Sequence, residues 1–389
     1  MKSHPGALIL GSEYQALGLL RQLHAGGVRC ALVDQDRYGV ARFSRFRGPF
    51  HHSPRYDDDD FWPWLVALGR NSGYEGWALF TTDDEQVRQI SLHHDEACRM
   101  FRYAGPAWSA YQWLYDKRAN YEWCGRNGVT TPRSFLPQDR DDIPGPEMPF
   151  PFIVKPAYKR NYSQHCKAKA IRVESAADLK SALDGTLREV SVSELLYQEI
   201  IPGDGSWQWS YAGLFSKGQP VAAFTACRRR QHPPDFGRAS TFVVAQHDPE
   251  VERESRRVLE ASNYTGLAEV EWKRDPRDGR LKFLEVNARC WGWHSLASKV
   301  IGNIPMMVVD LLSDREIAAV APRYGWSWVK HVTDVPVAMD MWRRRELGFR
   351  DYVKSLSGQV VGCEWSRDDP WPFLLQFVLG PYLMVKRGY

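Results

Sequence analysis

The chain has 389 residues, with 51 Lys and Arg against 47 Asp and Glu, and therefore a formal net charge of +4. A charge this small, with both signs spread along the sequence, does not favour a nucleic acid as a partner. With 43% hydrophobic and 25% charged residues, the composition excludes a disordered chain and is typical of a globular protein of about two or three domains.

Cysteine usage and the apolar runs bear on where the protein resides. The seven cysteines are widely spaced and include no Cys-x-x-Cys pair, which is typical of reduced thiols. The apolar run at 7–10 is too short for the core of a signal peptide, and the run at 373–385 is too short and too interrupted to span a bilayer. We therefore expect a cytoplasmic location, with no disulfide framework, structural zinc or transmembrane segment.

The first part of the chain shows a strand, helix, strand pattern. Residues 7–10 and 30–33 are short apolar runs typical of buried parallel strands, and residues 14–24 between them carry leucines at helical spacing. We expect a third strand at 78–80. This succession predicts a Rossmann-like, doubly wound α/β domain over residues 1–110.

A dinucleotide site is not expected in this domain. The loop after the first strand reads Gly11-Ser-Glu-Tyr-Gln-Ala-Leu-Gly18 and lacks the second glycine that would let the backbone approach a pyrophosphate. Asp34, which follows the second predicted strand, is therefore not assigned to a ribose.

From residue 111 onward the pattern favours two α+β lobes followed by an extension. Helices are predicted over 111–123 and over 175–183, where Ser175 is a good N-cap. These and the other strand and helix patterns predict a small lobe over about 115–200 and a large lobe over about 201–320. Residues 321–389 contain two short amphipathic helical patterns and a Trp-rich tail, which we interpret as a short, helical C-terminal extension.

A β-hairpin with its turn at Asp278-Gly279 is the most informative stretch. Because side chains alternate along a strand, Glu269 and Glu271 share one face of the first strand, and Glu285 and Asn287 share one face of the second. The last three of these side chains can therefore converge. Two carboxylates and an amide oxygen form a donor set that suits Mg²⁺.

The surroundings of these acids argue against a merely solvated face, which is the commoner role of acids in hairpins. Glu285 and Asn287 sit in an apolar frame that includes Phe283 and Val286, and this frame predicts a partly buried strand. An uncompensated carboxylate is costly there, which favours a metal or a cation beside it. Arg289 supplies a cation two residues further along.

On these residues the sequence resembles the ATP-grasp ligases, over most of the chain. In that family a hairpin of the form Glu, turn, Glu-x-Asn-x-Arg holds the magnesium ions that bridge the ATP phosphates. The resemblance implies that Glu271, Glu285 and Asn287 bind the metal and that Arg289 is a catalytic cation. It also implies the fold, in which a Rossmann-like domain precedes a two-lobed ATP-grasp domain over residues 111–320.

The resemblance extends upstream in the family's order of motifs. Asp116-Lys117 resembles its first phosphate-contacting lysine, and Lys155 resembles its strand lysine that reaches the α and β phosphates. Residues 198–204 resemble the hinge between the lobes. The implied nucleotide contacts in this hinge are Gln198, the backbones of Glu199 and Ile201 at the adenine edge, and Asp204 at the ribose.

The chain departs from the family pattern after Lys155. Residues 157–169 contain no glycine, so backbone cradling of phosphate is not expected there. Either basic side chains replace it, or the segment is a solvated basic loop. The basic side chains concerned are Lys159, Arg160, Lys167 and Lys169.

A second basic cluster, Arg228-Arg229-Arg230, closes a predicted strand. Alternation predicts that Arg228 and Arg230 share one face, where either guanidinium can grip the acid substrate or the γ-phosphate. The alternative is a strand end held in solvent. His232 and His294 are candidate proton acceptors for an amine, although a lone histidine more often has a structural role.

The resemblance implies an ATP-dependent ligase that uses Mg²⁺ or Mn²⁺. It activates a small-molecule carboxylate as an acyl phosphate and joins it to a small-molecule amine, forming an amide and releasing ADP and phosphate. Two alternatives stay open: a catalytically silent nucleotide-binding sensor or scaffold, and an ATP-grasp enzyme acting on a non-carboxylate acceptor. The presence of both Glu285 and Asn287 favours catalysis.

The tail at 371–389 pairs apolar residues with Lys386-Arg387. We expect it to be a packed cap or an element of a homodimer. The alternative is peripheral attachment to an anionic membrane.

Overall fold

The computed structural model describes residues 5–157, 166, 170–233 and 239–378. The strands are β1 Ala7–Leu10, β2 Cys30–Asp34, β3 Phe50–His52, β4 Ala78–Thr81, β5 Arg102–Tyr103, β6 Ser134–Phe135, β7 Phe152–Pro156, β8 Ile171–Val173, β9 Leu195–Glu199, β10 Gln208–Ser216, β11 Gln219–His232, β12 Ala239–Ala245, β13 Gly266–Arg274, β14 Leu281–Asn287, β15 Trp326–Val329 and β16 Gln359–Gly362. The helices are α1 Tyr14–Ala25, α2 Phe61–Asn71, α3 Asp84–Leu92, α4 His94–Met100, α5 Trp108–Tyr115, α6 Lys117–Arg126, α7 Ala176–Asp184, α8 Pro249–Ala261, α9 Ala297–Val300, α10 Ile304–Leu311, α11 His331–Arg343, α12 Phe349–Leu356 and α13 Trp371–Val378.

The N-terminal sheet is the parallel sheet that the sequence predicts. Its strand order is β3-β2-β1-β4-β5, and each neighbouring pair is parallel. Asp34 at the end of β2 accepts hydrogen bonds from Ser12 Oγ (2.6 Å) and from the Tyr56 hydroxyl (2.9 Å). The Rossmann-like fold class is confirmed, and Asp34 joins the first loop to the chain after β3.

The small lobe is built on a four-stranded antiparallel sheet with the order β6-β9-β7-β8. Its helix α7 begins where the sequence predicts, because Ser175 Oγ accepts a hydrogen bond from the Asp178 backbone N–H (3.2 Å) and caps the first turn. Central strand β7 carries Lys155, and its neighbour β9 carries Gln198, so these two side chains belong to adjacent strands of one sheet.

The large lobe contains a seven-stranded sheet with the order β14-β13-β10-β11-β12-β15-β16. The last two strands belong to the predicted extension, which is therefore not only helical: β15 is antiparallel to β12, and β16 is parallel to β15. The sequence at β15 alternates, and Trp328 is fully buried while Trp326 is half-buried. The run is only four residues long, which is too short for its pattern to predict a strand. The domain boundaries at 110 and 320 stay predictions.

Two helices replace the single helix predicted over 111–123. Asp116 interrupts it with extended backbone angles, φ −91° and ψ 113°, and its carboxylate accepts a hydrogen bond from the Arg118 N–H (2.9 Å). Lys117 is therefore the first residue of α6. Its own N–H donates to Ala157 O (3.0 Å), which fixes it beside the end of β7.

One large apolar cluster joins the N-terminal sheet to the large lobe. It includes Leu20 of α1, Phe224 of β11, the loop residues Trp291 and Trp293, and Trp328 of β15. These contacts hold the N-terminal domain against the strand that ends at Asn287. Among the described residues, no helix is long and apolar enough to cross a membrane.

Candidate active site

The hairpin of β13 and β14 brings the predicted metal-binding side chains together. Glu269 lies directly opposite Asn287, and Glu271 lies directly opposite Glu285. Residues that face each other across an antiparallel pair project to the same side of the sheet. The four polar side chains therefore form one cluster, as alternation predicts.

The Asn287 amide separates two of the carboxylates. Its Nδ2 donates to Glu271 Oε1 (2.8 Å) and lies 3.3 Å from Glu269 Oε2, while its Oδ1 accepts from Arg289 Nη2 (3.0 Å). The N–H groups of the Asn287 amide thus lie between the carboxylates of Glu269 and Glu271, where positive charge would offset the repulsion between the two acids. Rotating the amide by a half-turn would present its oxygen to a cation instead, since the two ends of an amide have nearly the same shape.

The remaining oxygens of the β13 carboxylates are held by the neighbouring strands. Glu271 Oε2 accepts from Gln208 Nε2 (2.6 Å) and lies 3.3 Å from Arg228 Nη2. Glu269 Oε1 accepts from Ser210 Oγ (2.9 Å) and from the indole of Trp293 (2.9 Å). Gln208 and Ser210 of β10 are not among the site residues predicted from the sequence, although two polar side chains two residues apart in an apolar strand are a signal for them.

Burial makes Glu269 the strongest candidate for pH sensitivity. Burial, reinforced by the neighbouring charge of Glu271, raises the pKa of Glu269 to about 7. The unfolded chain has a lower pKa, so between these two values the folded protein binds the extra proton. The stabilising contribution is therefore present at acid pH and is lost as the pH rises through about 7.

We expect Glu269→Gln to remove this dependence in the nucleotide-free protein. The variant keeps an oxygen for Ser210 and Trp293, so the melting temperature of the parent should fall relative to that of the variant as the pH rises from about 5 to about 8. Thermal melts of both proteins across this range measure the difference. If the melting temperatures of the parent and the variant change equally with pH, Glu269 is not the source of the pH dependence.

The small-lobe lysines face the same cluster. Lys117 Nζ lies 3.2 Å from Glu285 Oε2, and both side chains remain partly open to solvent. Lys155 Nζ donates to Gln198 Oε1 (2.7 Å) and to the Tyr121 hydroxyl (3.2 Å). The structure therefore places both predicted phosphate lysines at the boundary between the small lobe and the hairpin.

Tyr121 is a site residue that the sequence argument missed. It lies four residues after Lys117 on α6, so the two side chains share a helix face. Its hydroxyl contacts Lys155, accepts from Gln198 Nε2 (3.0 Å) and lies 3.4 Å from Leu284 O. It thereby links α6, the small-lobe sheet and β14.

The hinge between the lobes is fixed by cations from the hairpin. Lys273 Nζ donates to Ile201 O (2.9 Å) and Gly203 O (2.8 Å), and burial lowers the pKa of Lys273 to about 8. The carboxylate of Glu199 accepts from Arg277 Nη2 (3.0 Å), which lies in the hairpin turn. Neither cation is among the site residues predicted from the sequence, because their partners are 70 or more residues away along the chain.

Two backbone groups of the hinge form hydrogen bonds within the protein. The Glu199 N–H donates to Arg133 O (2.9 Å), and Ile201 O is taken by Lys273. Asp204 is exposed, and its carboxylate caps a short turn by accepting from the Ser206 N–H (2.9 Å).

Arg289 connects the cluster to the N-terminal domain. Its Nε donates to Asp84 Oδ1 (2.8 Å) at the start of α3, while Nη2 reaches Asn287. Asp83 caps the same helix and Gln86 completes a capping box. The position of Arg289 therefore depends on the domain that precedes the two lobes.

Arg228 and Arg230 project to opposite faces of the sheet, so the prediction that they share one face is wrong. Arg228 pairs with Val243 of β12, whereas Arg230 pairs with the adjacent residue Phe242, because a β-bulge inserts an extra residue between them. Adjacent residues of β12 point to opposite faces, so only Arg228 reaches the cluster. Arg230 is directed to α11 and α12 instead.

The remaining predicted site residues are two histidines and the basic side chains after Lys155. His294 is fully buried, with Nδ1 3.0 Å from Trp291 O, and burial lowers its pKa to about 4, so it is neutral at physiological pH. His232 is half-buried at the end of β11. The basic side chains of Lys159, Arg160, Lys167 and Lys169 lie outside the described residues.

The donor set fits a hard cation that keeps other ligands. No group of three or more His, Cys, Asp or Glu side chains in the part of the chain that the structure describes is arranged to hold a metal by itself. Mg²⁺ commonly takes only one or two carboxylates and completes its shell with water and substrate phosphate. Glu271 and Glu285 on facing strands, with Asn287 beside them, meet that requirement.

Comparison with known proteins agrees with this geometry. A family model described as the ATP-binding domain of the carbamoyl-phosphate synthase L chain matches residues 239–312. The biotin carboxylase domain of Hydrogenobacter thermophilus 2-oxoglutarate carboxylase, solved with MgADP and bicarbonate, has a TM-score of 0.65 at 14% identity, over 84% of this chain and 74% of that chain. An L-amino acid ligase from Bacillus licheniformis has a TM-score of 0.60 at 16% identity, over 83% of this chain and 78% of that chain.

The chain thus shares its fold with these structures, and the resemblance to the ATP-grasp ligases seen in the sequence is confirmed. Among curated sequences, the chain is similar to the D-aspartate ligase of Enterococcus faecium (strain Aus0004). The two are 25% identical over 297 residues, which cover 72% of this chain and 70% of that protein.

Proposed function

We propose that this protein is an ATP- and Mg²⁺-dependent carboxylate–amine ligase. The observation that carries the proposal is the single cluster in which Glu271, Glu285 and Asn287 of the large lobe face Lys117 and Lys155 of the small lobe. This arrangement supports a site in which the carboxylate and amide oxygens would bind the metal and the lysines would bind phosphate. The similarity to a D-aspartate ligase supports the reaction class.

ATP would bind between the lobes, with its phosphates near Lys117 and Lys155. Gln198 holds the Lys155 ammonium in place, since its Oε1 is the nearer acceptor at 2.7 Å. At the hinge, adenine would be recognised by the Glu199 carbonyl and the Ile201 N–H, because the other two backbone groups are engaged. Asp204, exposed beside this segment, is our candidate for the ribose.

We expect Lys155→Met to weaken ATP binding by about ten- to a hundredfold, since a charged hydrogen bond contributes about 1.5–3 kcal/mol. Titration calorimetry with ATP and Mg²⁺ measures the change. Lys180→Met is the matched control, because Lys180 is an exposed lysine of the same lobe, paired with Asp184 (3.3 Å). Equal ATP affinity in the two variants would remove Lys155 from the site.

Glu271, Glu285 and Asn287 would hold Mg²⁺ or Mn²⁺. When bound, the cation supplies positive charge to the phosphates and lowers the cost of charge that develops during transfer. The protein's own cations add to this effect. Arg228, beside Glu271, and Arg289, beside Asn287, flank the cluster on two sides.

The reaction needs no protein nucleophile. A carboxylate oxygen of the acid attacks the γ-phosphorus of ATP, and ADP leaves with the electron pair of the broken bond. The amine then attacks the acyl carbon, phosphate leaves with the former carboxylate oxygen, and the amine loses a proton. The chain contributes alignment and electrostatic stabilisation, which are the main sources of rate enhancement in phosphoryl transfer.

For the acid substrate we propose an amino acid of the aspartate type, because the curated relative is named for D-aspartate. We infer that Arg228 faces the acid or the γ-phosphate. Arg230 is not part of this proposal, because the bulge directs it elsewhere.

The test is a crossed screen of acids and amines. Purified protein with ATP and Mg²⁺ is incubated with D-aspartate, L-aspartate or pools of other carboxylates, each combined with pools of amines. Phosphate release and product mass are recorded. We expect ADP and phosphate to be released only when both substrates are present, together with a product whose mass is the sum of both minus water.

Two other outcomes would decide for the alternatives. ATP binding without turnover in every combination would favour a nucleotide-binding sensor or scaffold. Phosphorylation of a substrate that lacks a carboxylate would favour a different acceptor. The Glu285→Gln variant is the control for contaminating ATPase in all arms.

A cytoplasmic location and a homodimer are proposals as well. None of the seven cysteines, all of which are among the described residues, forms a disulfide, and six of them are buried, which agrees with a reducing compartment. Sedimentation analysis of the purified chain measures the assembly directly.

A further inference from the structure

Exposed apolar side chains concentrate in the C-terminal part of the described chain. Of the fifteen large apolar side chains that are exposed among the described residues, ten lie in 331–378. We call these ten the apolar surface: Val335, Met339, Trp342, Phe349, Val353, Trp365, Trp371, Leu374, Phe377 and Val378. Contiguous exposed apolar residues commonly mark an interaction site.

Helix α11 carries one row of this surface. Val335, Met339 and Trp342 follow one another at steps of four and three residues, and therefore line one face of the helix. The opposite face packs on the sheet through buried residues such as Val337 and Met341. Trp342 is 59% exposed at the end of the row.

Helix α12 exposes much of its apolar face. Phe349 is 66% exposed and Val353 is 49% exposed, and no residue of this helix is buried. The helix is held in place from its other side, where Ser355 Oγ accepts from Arg230 Nη1 (3.1 Å) and the Tyr352 ring lies 5.0 Å from the Arg230 guanidinium.

The three helices meet around the start of α11. Arg230 connects α12 to Asp334 of α11, and the Phe373 ring of α13 lies 6.2 Å from the His331 ring of α11. These side-chain contacts link the three helices near the start of α11.

Charge is distributed unevenly in the same residues. All six Lys and Arg side chains of 331–378 are exposed, while three of its seven acids are fully buried. Two of the buried acids, Asp334 and Asp369, are paired with Arg230 and Arg21. The exposed cations are Arg343, Arg344, Arg345, Arg350, Lys354 and Arg367.

From these observations we propose that the apolar surface docks this protein on an anionic membrane. Tryptophan and phenylalanine side chains insert at the boundary between headgroups and acyl chains, and arginines next to them bind anionic headgroups. Trp342 is followed directly by three arginines, and Phe349 by Arg350. Binding is interfacial, since none of the helices among the described residues can span a bilayer.

A second copy of the chain fits the apolar surface less well than an anionic membrane does. A symmetric dimer brings the same patch of both copies together. It would therefore bring the exposed cations of both copies, including Arg343, Arg344 and Arg345, into one interface, and like charges across an interface oppose association.

Vesicle co-sedimentation of the full chain tests the proposal. We expect the protein to pellet with vesicles of phosphatidylcholine and phosphatidylglycerol, to pellet much less with phosphatidylcholine alone, and to be released by salt. The double variant Trp342→Ser, Phe349→Ser should bind anionic vesicles at least about tenfold more weakly than the parent, because two large apolar side chains of the surface are lost. A second variant, Arg343→Gln, Arg345→Gln, should lose the preference for anionic vesicles.

The matched control is Ile143→Ser, which removes an exposed apolar side chain of the small lobe outside the apolar surface. It should bind vesicles like the parent. The proposal is overturned if the parent does not bind anionic vesicles, if it binds neutral vesicles equally well, or if the control loses binding to the same extent. Dimer formation that the double variant abolishes, without vesicle binding, would assign the surface to a second copy.

Discussion

Glu285→Gln is expected to lower ligase turnover by about a hundredfold or more, because neutralising a metal ligand removes several kcal/mol of charge stabilisation and each 1.36 kcal/mol is about tenfold in rate. Glu285 lies opposite Glu271 and 3.2 Å from Lys117, so it is the carboxylate that faces the small-lobe cations. The substitution keeps the size of the side chain and removes only its charge.

The fold should survive this substitution. The pair between Glu285 and Lys117 is partly exposed, and such pairs contribute about 1 kcal/mol or less. Added Mg²⁺ and ATP should raise the melting temperature of the variant less than that of the parent, as expected when binding to the native state is weakened. Steady-state kinetics and thermal melts measure both effects.

Glu122→Gln is the matched control for Glu285→Gln. Glu122 lies on α6 near the site but is exposed, and its carboxylate lies 3.7 Å from Arg126 Nη2. Its substitution should leave turnover close to the parental value. Full ligase turnover in Glu285→Gln would contradict the assignment of the hairpin as the metal site.

Asp334→Ala is expected to destabilise the protein by about 3–5 kcal/mol, which is the usual cost of leaving one partner of a buried ion pair alone. Asp334 is fully buried and accepts from Arg230 Nε (2.8 Å) and Nη2 (2.8 Å). The Arg230 guanidinium is buried and lies 4.1 Å from the Phe242 ring, so water cannot replace the lost carboxylate as its partner.

Urea unfolding of Asp334→Ala and of a matched control measures this cost. The control is Asp340→Ala on the same helix, whose pair with Arg344 (2.9 Å) is partly exposed and should contribute about 1 kcal/mol or less. Equal losses of unfolding free energy in the two variants would show that the buried pair does not hold α11 to β11.

The sequence was sufficient where a local pattern decides the structure. Alternation in the hairpin predicted that Glu271, Glu285 and Asn287 converge, because an antiparallel register forces facing residues to one side. Ser175 identified the start of α7, because a cap is a local hydrogen bond. These features depend on residues close together in the chain.

The sequence was not sufficient where distant parts of the chain meet or where a strand is irregular. The bulge that separates Arg228 from Arg230 leaves no mark in the alternation of the strand itself. Lys273 and Tyr121 became site residues only because the lobes bring Ile201 and Lys155 to them. The pattern of β15 is too short to distinguish a strand from a loop without its partner β12.

The central claim is that ATP activates a carboxylate as an acyl phosphate, and an isotope transfer tests it most directly. The acid substrate found in the screen is labelled with heavy oxygen in its carboxylate, and the phosphate released in the presence of the amine is analysed by mass. We expect one heavy oxygen in each phosphate, because the phosphate leaves with the carboxylate oxygen that attacked the γ-phosphorus. Unlabelled phosphate, formed while the amide product accumulates, would contradict it.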